Sequence, residues 1–334
     1  MEDSGTGVTL QSVTPETIRE AIRRVQTGGV PDQMQLIWAT HYDWPVPSGA
    51  ASSQRVSGPL HISILDSSFN PPTYAHLALA TSPFPDQGLS DPAPRQHGYD
   101  AHLLLLSVRN ADKTIKHGDA DHVQRVEMMI LLAKEMAAVQ PQSESPNSSA
   151  SLRNVGVAVI DEPTFVGKSN KVLAYLDGRL QGRSRALNER VSSTALCQLT
   201  FILGYDTLLR LFEPRFYGSR DSMGLALLKF FAGYDEGGDN SIVVCSRRFS
   251  NNTLVADDPS GTREENQFLM SEDVTSYVKR GLVIMMDIGS KEQRMSSTQV
   301  RVASGSSAEG HLIQLCPRLI VEYIQKVHLY SEIN

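Results

Sequence analysis

Residues 66–80, DSSFNPPTYAHLALA, combine residue types and spacing that suit the binding of phosphate. The apolar run 60–65 precedes them and predicts a strand that leads directly into the segment. Two small serines let the backbone approach a ligand, two prolines stiffen the turn, and Thr73 can cap a helix that includes His76. Because the first turn of a helix offers free N–H groups and a positive partial charge, this corner suits an anion.

A second segment with similar chemistry, MSSTQVR, spans residues 295–301. It follows a strand-like run at 282–288, and Ser296 or Ser297 can cap a short helix in which Arg301 lies about one turn further on. Hydroxyl groups, free N–H groups and a guanidinium suit a chain of phosphates. Either segment alone is typical of an ordinary capped helix, but the two together favour a nucleoside triphosphate site.

The two segments resemble the motifs of the HxGH and ISSTxxR nucleotidylyltransferases. The string from Ser67 to His76 is similar to the GSFNPxTxxH motif of the nicotinamide mononucleotide adenylyltransferases, and it looks like a divergent, fungal-like branch. Further segments match that family in the same order and extend the resemblance over roughly residues 60–331. They are Lys116-His117-Gly118 with Gln124-Arg125, Gly204-Tyr205-Asp206, the run 243–247 ending in Arg247, and the tail 317–330.

The resemblance implies a role for each matching residue. The residues acting on the transferred phosphate would be His76, Lys116 and Arg301, with His76 donating to the α-phosphate. ATP would contact Ser67, Ser68, Phe69, Thr73, His76, Gly204, Asp206, Ser296, Ser297, Thr298 and Arg301. The acceptor nucleotide would contact Asn70, Lys116, Arg125, Phe165, Tyr217 and Arg247. Mg²⁺ would be the cofactor, held mainly by phosphates and water rather than by protein ligands.

The acceptor half departs from the family pattern. The opening glycine of the motif is Ser67 here, and its His-Arg pair is Gln124-Arg125. The family's nicotinamide site usually includes tryptophans, whereas Trp38 and Trp44 lie in the N-terminal region. The aromatic residues that could stack on a base instead are Phe165 and Tyr217.

We therefore expect adenylyl transfer from ATP to nicotinamide mononucleotide by direct in-line attack, giving NAD and pyrophosphate. An acceptor phosphate is already largely ionised at neutral pH, since its second pKa is near ~6, so no general base is required. Three alternatives remain open: a related nucleotidylyltransferase that uses another mononucleotide or CTP, an ATPase, and a non-catalytic nucleotide-binding regulatory protein.

Strand-like and helical patterns alternate from residue 60 onward and predict an α/β fold with a doubly wound parallel sheet, a Rossmann-like arrangement. We expect one nucleotidylyltransferase domain over residues 58–334, after an N-terminal extension and linker at 1–57 that holds a helix and a short strand. Ligands of such sheets bind at the carboxyl ends of the strands, where the matching residues fall. The expected strands are 60–65, 102–108, 155–160, 198–203, 241–246 and 282–287; the expected helices are 74–82, 121–138, 169–177, 206–213, 221–232, 264–280, 296–304 and 317–327.

Other features of the sequence are interpreted as separate from the site. Gly167-Lys168-Ser169 resembles the end of a P-loop, but Glu162 stands where that motif needs its first glycine, so we expect a false match. The polar segments 83–99 and 140–153 are expected to be surface loops. A solvated loop is also expected to carry Arg179, Arg183, Arg185 and Arg190.

The composition of the 334 residues excludes several classes of protein. A formal net charge of -6 argues against a nucleic-acid-binding surface. Three scattered cysteines are expected to be reduced core thiols, and neither a secretory signal nor an apolar run long enough for a bilayer is visible. We expect a soluble protein of the cytosol or nucleus that binds small molecules and no membrane. A homo-oligomer is left open.

Overall fold

The structure, a computed structural model, describes residues 13–47, 59–84, 98–109, 118–139, 152–186, 197–247, 259–305 and 309–331. Its strands form one seven-stranded sheet: β1 (Met34–Ala39), β2 (Leu60–Asp66), β3 (Ala101–Ser107), β4 (Val155–Ile160), β5 (Cys197–Leu203), β6 (Ile242–Ser246) and β7 (Val283–Met286). The α-helices are α1 (Pro15–Gln26), α2 (Tyr74–Ala80), α3 (His122–Ala138), α4 (Phe165–Ala186), α5 (Tyr205–Leu211), α6 (Arg220–Phe231), α7 (Pro259–Leu269), α8 (Thr275–Lys279), α9 (Ser297–Ser304), α10 (Glu309–Leu315) and α11 (Arg318–Lys326).

The strand order creates a topological switch point between β2 and β5. The sheet runs β1-β4-β3-β2-β5-β6-β7, and every neighbouring pair except β1 with β4 is parallel. The chain therefore builds outward from β2 through β3 to β4, returns to β5, and continues on the other side. This reversal creates a switch point at the carboxyl ends of β2 and β5, where doubly wound folds bind ligands.

Helices cover both faces of the sheet, which explains why its central strands are apolar on both sides. One face packs against α1, α2 and α3 through residues such as Ile18, Leu79 and Met129. The other face packs against α4, α5 and α6 through residues such as Val172 and Leu208. Among the described helices, none combines the length and apolar character that a membrane crossing requires.

A smaller apolar cluster lies beside α3 and holds the C-terminal helices together. It joins Val300 of α9, Leu312 of α10 and Ile320 of α11 to Met128 of α3. Since α9 carries the second predicted phosphate corner, this cluster fixes the position of that corner relative to the rest of the domain.

The N-terminal segment is part of the same layered structure. Ile18 and Val25 of α1 are fully buried, and β1 pairs antiparallel with β4 at the edge of the sheet. Trp44 is also buried, and its Nε1 donates to the carbonyl oxygen of His102 at 3.2 Å. A Cβ at Gly156 would lie 2.7 Å from the Trp44 ring, so a glycine is needed there. The boundary expected at residue 57 thus separates two segments that share one sheet.

The expected strands are confirmed to within one residue at each end, whereas some helices differ. The helix expected at 169–177 extends over 165–186, and the one expected at 264–280 is two helices, α7 and α8. Helix α10 was not expected. The segments 85–97 and 140–151 of the expected surface loops lie outside the described residues.

The placement of the arginines in a solvated loop is wrong for those that the structure describes. Arg179, Arg183 and Arg185 lie on α4, and Arg190 lies outside the described residues. Arg179 donates to the carbonyl oxygens of Tyr42 and Trp44, at 2.5 Å each, and Arg183 Nε is 3.3 Å from Asp43 Oδ1. Arginine is a good helix former, so a polar stretch rich in arginine is compatible with a helix. The partners of these arginines lie in the distant N-terminal segment, which the local pattern does not show.

Candidate active site

The loop between β2 and α2 holds the His76 ring in one orientation. Thr73 is the N-cap residue of α2, and its backbone N–H donates to His76 Nδ1 at 3.1 Å. The Thr73 hydroxyl is 3.0 Å from the same nitrogen, and Ser67 Oγ is 3.0 Å from Nε2. The buried Phe69 ring lies 5.7 Å from the His76 ring and supports it from the core, whereas Ser68 is exposed. The loop thus holds both ring nitrogens of His76, Nδ1 through Thr73 and Nε2 through Ser67.

These contacts define the protonation state of His76. Because a backbone N–H can only donate, Nδ1 must accept, and the neutral ring carries its proton on Nε2. Desolvation lowers the pKa of His76 to about 4, although part of the residue reaches solvent. At neutral pH the ring is therefore an uncharged donor, and its Nε2–H faces the Ser67 side of the loop.

The second predicted corner closes directly onto this loop. Ser296 is the N-cap residue of α9, and its side chain accepts a hydrogen bond from a backbone N–H of the first turn. Ser297 Oγ donates to the carbonyl oxygen of Pro71 at 2.7 Å. Arg301 Nη1 donates to the carbonyl oxygen of Asn70 at 2.6 Å. These pairs are separated by 226 and 231 residues in the sequence, so the fold brings together the two corners that the motifs predicted.

A cluster of charges lies beside the loop. Arg301 Nη2 donates to Thr298 Oγ1 at 3.1 Å, and Arg301 Nε is 3.8 Å from Asp119 Oδ1. On the other side of the same carboxylate, Arg125 Nη2 is 3.9 Å from Asp119 Oδ2. Arg125 is only 4% exposed, so it is not a side chain that reaches out to solvent, and burial lowers its pKa. Arg125 and Arg301 share the carboxylate of Asp119, so these three groups carry a net charge of +1, and the Asp121 carboxylate also acts on Arg125.

Asn70 fastens the loop to two other parts of the molecule. Its Oδ1 accepts from the backbone N–H of Ala120 at 3.1 Å and from the Tyr330 hydroxyl at 2.9 Å. Nearby, Cys316 Sγ donates to the carbonyl oxygen of Pro72 at 3.1 Å. Asn70 is a residue that the resemblance assigns to the acceptor, and its side-chain oxygen is engaged within the protein, so the C-terminal segment shapes the loop.

The corner after β5 is next to this loop because β2 and β5 are neighbouring strands. Gly204 is the N-cap residue of α5, and Asp206 lies exposed in its first turn. Since α5 packs on the opposite face of the sheet from α2, the two corners border the switch point from both sides. This position is compatible with the contact to a ribose hydroxyl expected for Asp206.

The aromatic residues expected at the acceptor base lie on the face of the sheet that α5 covers. Phe165 opens α4 and packs edge-on against Phe201, with ring centroids 5.8 Å apart. Tyr217 is half-buried, and its hydroxyl donates to the carbonyl oxygen of Leu211 at 2.8 Å. Both rings belong to the rim of a core cluster, and neither forms an open stacking platform by itself.

Two basic residues expected at the acceptor, Arg247 and Lys116, are defined less completely than the residues around His76. Arg247 follows β6, and its Nη1 is 2.6 Å from Oε1 of the buried Glu265. Lys116 lies outside the described residues. The structure therefore defines the triphosphate half of the expected site more completely than the acceptor half.

Sequence reasoning missed a buried ion pair between Asp66 and Lys168, at 2.5 Å. Gly167 does not belong to a P-loop, because it lies inside α4 and a Cβ there would overlap the Glu162 carboxylate. Yet the lysine of that segment reaches Asp66, the last residue of β2. The sequence offered one signal for this ion pair, because Asp66 places a carboxylate directly before a phosphate-type loop.

The comparisons with known proteins agree with the motifs. A Schizosaccharomyces pombe protein is 26% identical over 269 residues, which are 80% of this chain and 86% of that protein. Its name assigns it provisionally to the nicotinamide mononucleotide adenylyltransferases. The chain resembles that family. The resemblance expected from the two corners is confirmed by this match, whereas no family model matches the chain.

Two solved structures that are partly similar to this chain align with most of its length. A Plasmodium falciparum nicotinic acid mononucleotide adenylyltransferase in complex with NaAD is 13% identical and covers 81% of this chain and 97% of its own, with a TM-score of 0.39. A Vibrio parahaemolyticus protein, named provisionally as a nicotinate-nucleotide adenylyltransferase, is 14% identical and covers 81% and 96%, with a TM-score of 0.31. At sequence identities and TM-scores this low, no residue role is transferred from these proteins to this chain.

Proposed function

We propose that the chain transfers the adenylyl group of ATP to nicotinamide mononucleotide, giving NAD and pyrophosphate. The observation that carries this proposal is the convergence of His76 and the α9 corner, through Ser297 and Arg301, on one loop at the switch point. The similarity to the Schizosaccharomyces pombe protein supports an acceptor of the same chemical class. Nicotinate mononucleotide is the alternative acceptor for the same reaction.

In this proposal the acceptor supplies its own nucleophile. With a second pKa near ~6, its phosphate is largely a dianion at neutral pH. One of its oxygens attacks the α-phosphorus of ATP in line with the bridging oxygen to the β-phosphate. A new P–O bond forms as the bond to the bridging oxygen breaks, and pyrophosphate leaves. The protein then has two tasks, to align two anions and to offset their repulsion.

His76 is suited to the α-phosphate. Its Nε2–H is a preorganised neutral donor, since Nδ1 is held by Thr73 and the pKa of about 4 keeps the ring uncharged at neutral pH. Such a donor stabilises the negative charge that develops on a phosphoryl oxygen.

Arg301 is suited to the β- and γ-phosphates. A guanidinium carries five N–H donors, and hydrogen bonds to Asn70 and Thr298 use two of them. The remaining donors, the N-terminus of α9 and the buried Arg125 form a cationic wall for the polyphosphate.

We assign Mg²⁺ to the ATP complex rather than to a cage of protein ligands. Mg²⁺ keeps several waters and is commonly bound through substrate phosphates. Over the described residues, no group of three or more histidine, cysteine, aspartate or glutamate side chains is arranged to hold a metal ion. The carboxylate of Asp119 is engaged between Arg125 and Arg301.

The proposal is tested with a matrix of donors and acceptors. Purified protein is incubated with ATP or CTP and with nicotinamide mononucleotide, nicotinate mononucleotide or no acceptor, and dinucleotide and pyrophosphate are both quantified. We expect NAD and pyrophosphate in equal amounts with ATP and nicotinamide mononucleotide. Phosphate release without an acceptor would indicate an ATPase, and dinucleotide from another pair of substrates would identify a different transferase. Nucleotide binding without any turnover would indicate a regulatory protein.

A further inference from the structure

A buried ion pair lies at the end of β2, directly before the loop that holds His76. Lys168 Nζ donates to Asp66 Oδ2 at 2.5 Å, and the two side chains are 5% and 8% exposed. The ammonium also lies 4.9 Å from the centroid of the Phe165 ring. The pair therefore connects the first turn of α4 to the strand from which the phosphate-type loop emerges.

The position of Asp66 makes its charge important for an anionic ligand. It precedes Ser67, whose Oγ is 3.0 Å from His76 Nε2, and successive Cα atoms are about 3.8 Å apart. With the lengths of the Asp66 and Ser67 side chains added to this path, a phosphate bound at Nε2 would lie within about 15 Å of the Asp66 carboxylate. Without a counter-charge, a carboxylate at that distance repels a polyphosphate in a partly buried cleft.

Stability alone does not account for such a pair. Taking two charges out of water carries a large desolvation penalty, and apolar residues of the same volume often stabilise a fold equally well or better. Lys168 has three N–H donors, and one of them meets Asp66. The lysine thus holds a positive charge at a fixed point beside the carboxyl end of β2, on the face of the sheet opposite α2.

We propose that Lys168 is a positioning residue that cancels the Asp66 charge and thereby sets the affinity of the crevice for polyphosphate. The inference deepens the proposed function and depends on it, because it requires the triphosphate of ATP to bind at the His76 loop. It predicts effects of opposite sign for the two members of the pair. Removal of the lysine charge weakens polyphosphate binding, and removal of the aspartate charge strengthens it.

The test uses five variants of the full chain: Lys168→Met, Asp66→Asn, the double variant, and two control variants. Arg318 and Glu322 form an exposed ion pair at 2.6 Å on α11, so Arg318→Met and Glu322→Gln change the net charge equally outside the crevice. Affinity for the non-cleavable analogue adenosine 5′-(α,β-methylene)triphosphate is measured by calorimetry at low and high salt. Thermal unfolding is measured in parallel.

We expect Lys168→Met to weaken analogue binding about fivefold at low salt and Asp66→Asn to strengthen it by a similar factor, on the order expected for one unit charge about 15 Å from a phosphate at an effective dielectric constant of ~20. The double variant should return to within about twofold of the parent, and the control variants should change little. Both single variants should unfold at lower temperature, because each leaves an unpaired buried charge.

A purely structural pair would give a different pattern. Affinity would then fall in both single variants, or stay at the parent value in both, and either result overturns the inference while the proposed function stands. If Lys168→Met does not fold, Asp66→Asn and the double variant still decide, because tighter binding by Asp66→Asn is required. Failure of the parent protein to bind the analogue would instead refute the proposed function, and the inference with it.

Discussion

The proposed role of His76 predicts the largest catalytic defect in the molecule. The substitution His76→Ala removes the Nε2–H that is held next to Ser67. It also removes the acceptor of the Thr73 backbone N–H and the contact with the Thr73 hydroxyl. These two consequences act on different quantities, because the first affects the transition state and the second affects the start of α2.

The expected magnitudes separate the two consequences. Loss of one preorganised donor to a developing oxyanion lowers kcat by about 10²- to 10³-fold, which corresponds to about 2.7–4 kcal/mol. Loss of the contacts at the N-terminus of α2 lowers the free energy of unfolding by about 1–2 kcal/mol. A domain with a typical stability of about 5–15 kcal/mol remains folded after such a change.

The assay measures initial rates of NAD and pyrophosphate formation with ATP and nicotinamide mononucleotide, together with circular dichroism. His311→Ala is the matched control, since His311 is an exposed histidine on α10. The pH profile adds an independent check. With the pKa of His76 at about 4, the acid limb near ~6 belongs to the acceptor phosphate and should persist in the variant.

Two results would contradict this reasoning. A folded His76→Ala protein with kcat within about threefold of the parent would exclude the imidazole as the donor to the α-phosphate. An increase in KM for ATP at unchanged kcat would show that His76 contributes only to ground-state binding. Disappearance of the acid limb in the variant would mean that the ring titrates near neutral pH, contrary to its desolvated position.

Three further predictions concern the surroundings of the loop. Arg301→Lys keeps the charge but cannot reproduce the guanidinium fork, so KM for ATP should rise about tenfold in steady-state kinetics, and an unchanged KM would remove the fork from the site. Tyr330→Phe removes the buried hydroxyl that donates to Asn70, so urea unfolding should show a loss of about 1 kcal/mol, with an unaltered midpoint as the contrary result. Burial lowers the pKa of His102 to about 4, so the unfolded chain binds a proton there first as the pH falls below about 6.5, and this residue alone lowers the free energy of unfolding by about 2 kcal/mol between pH 7 and 5. His102→Gln should therefore reduce the pH dependence by about that amount and leave the similar contribution of His76, and an unchanged or steeper slope would contradict this.

Local patterns made the main elements and the two corners predictable. Each strand is a short and mainly apolar run, so its limits are visible in the sequence. Thr73 and Ser296 occupy the N-cap positions that their residue types favour. The positions of His76 and Arg301 relative to their caps follow from the helical repeat and needed no tertiary information.

Tertiary packing decided what these residues contact. Arg125 could have been a surface side chain, but α3 buries it beside Asp119. Asn70 matched a motif residue for the acceptor, yet its side chain bonds to Tyr330, 260 residues away. The pattern around the arginines of α4 predicted a loop, whereas they lie on a helix, and Arg179 bonds to carbonyl oxygens of the N-terminal segment.

The sequence by itself determined the period of each element, the caps of its helices and the presence of two anion-binding corners, because these depend on neighbours within a turn or two. Only the tertiary structure decided that the corners share one loop, that β1 closes the sheet edge and that Lys168 faces Asp66. Contacts between such distant residues depend on how helices pack across the sheet, and no local pattern specifies that packing.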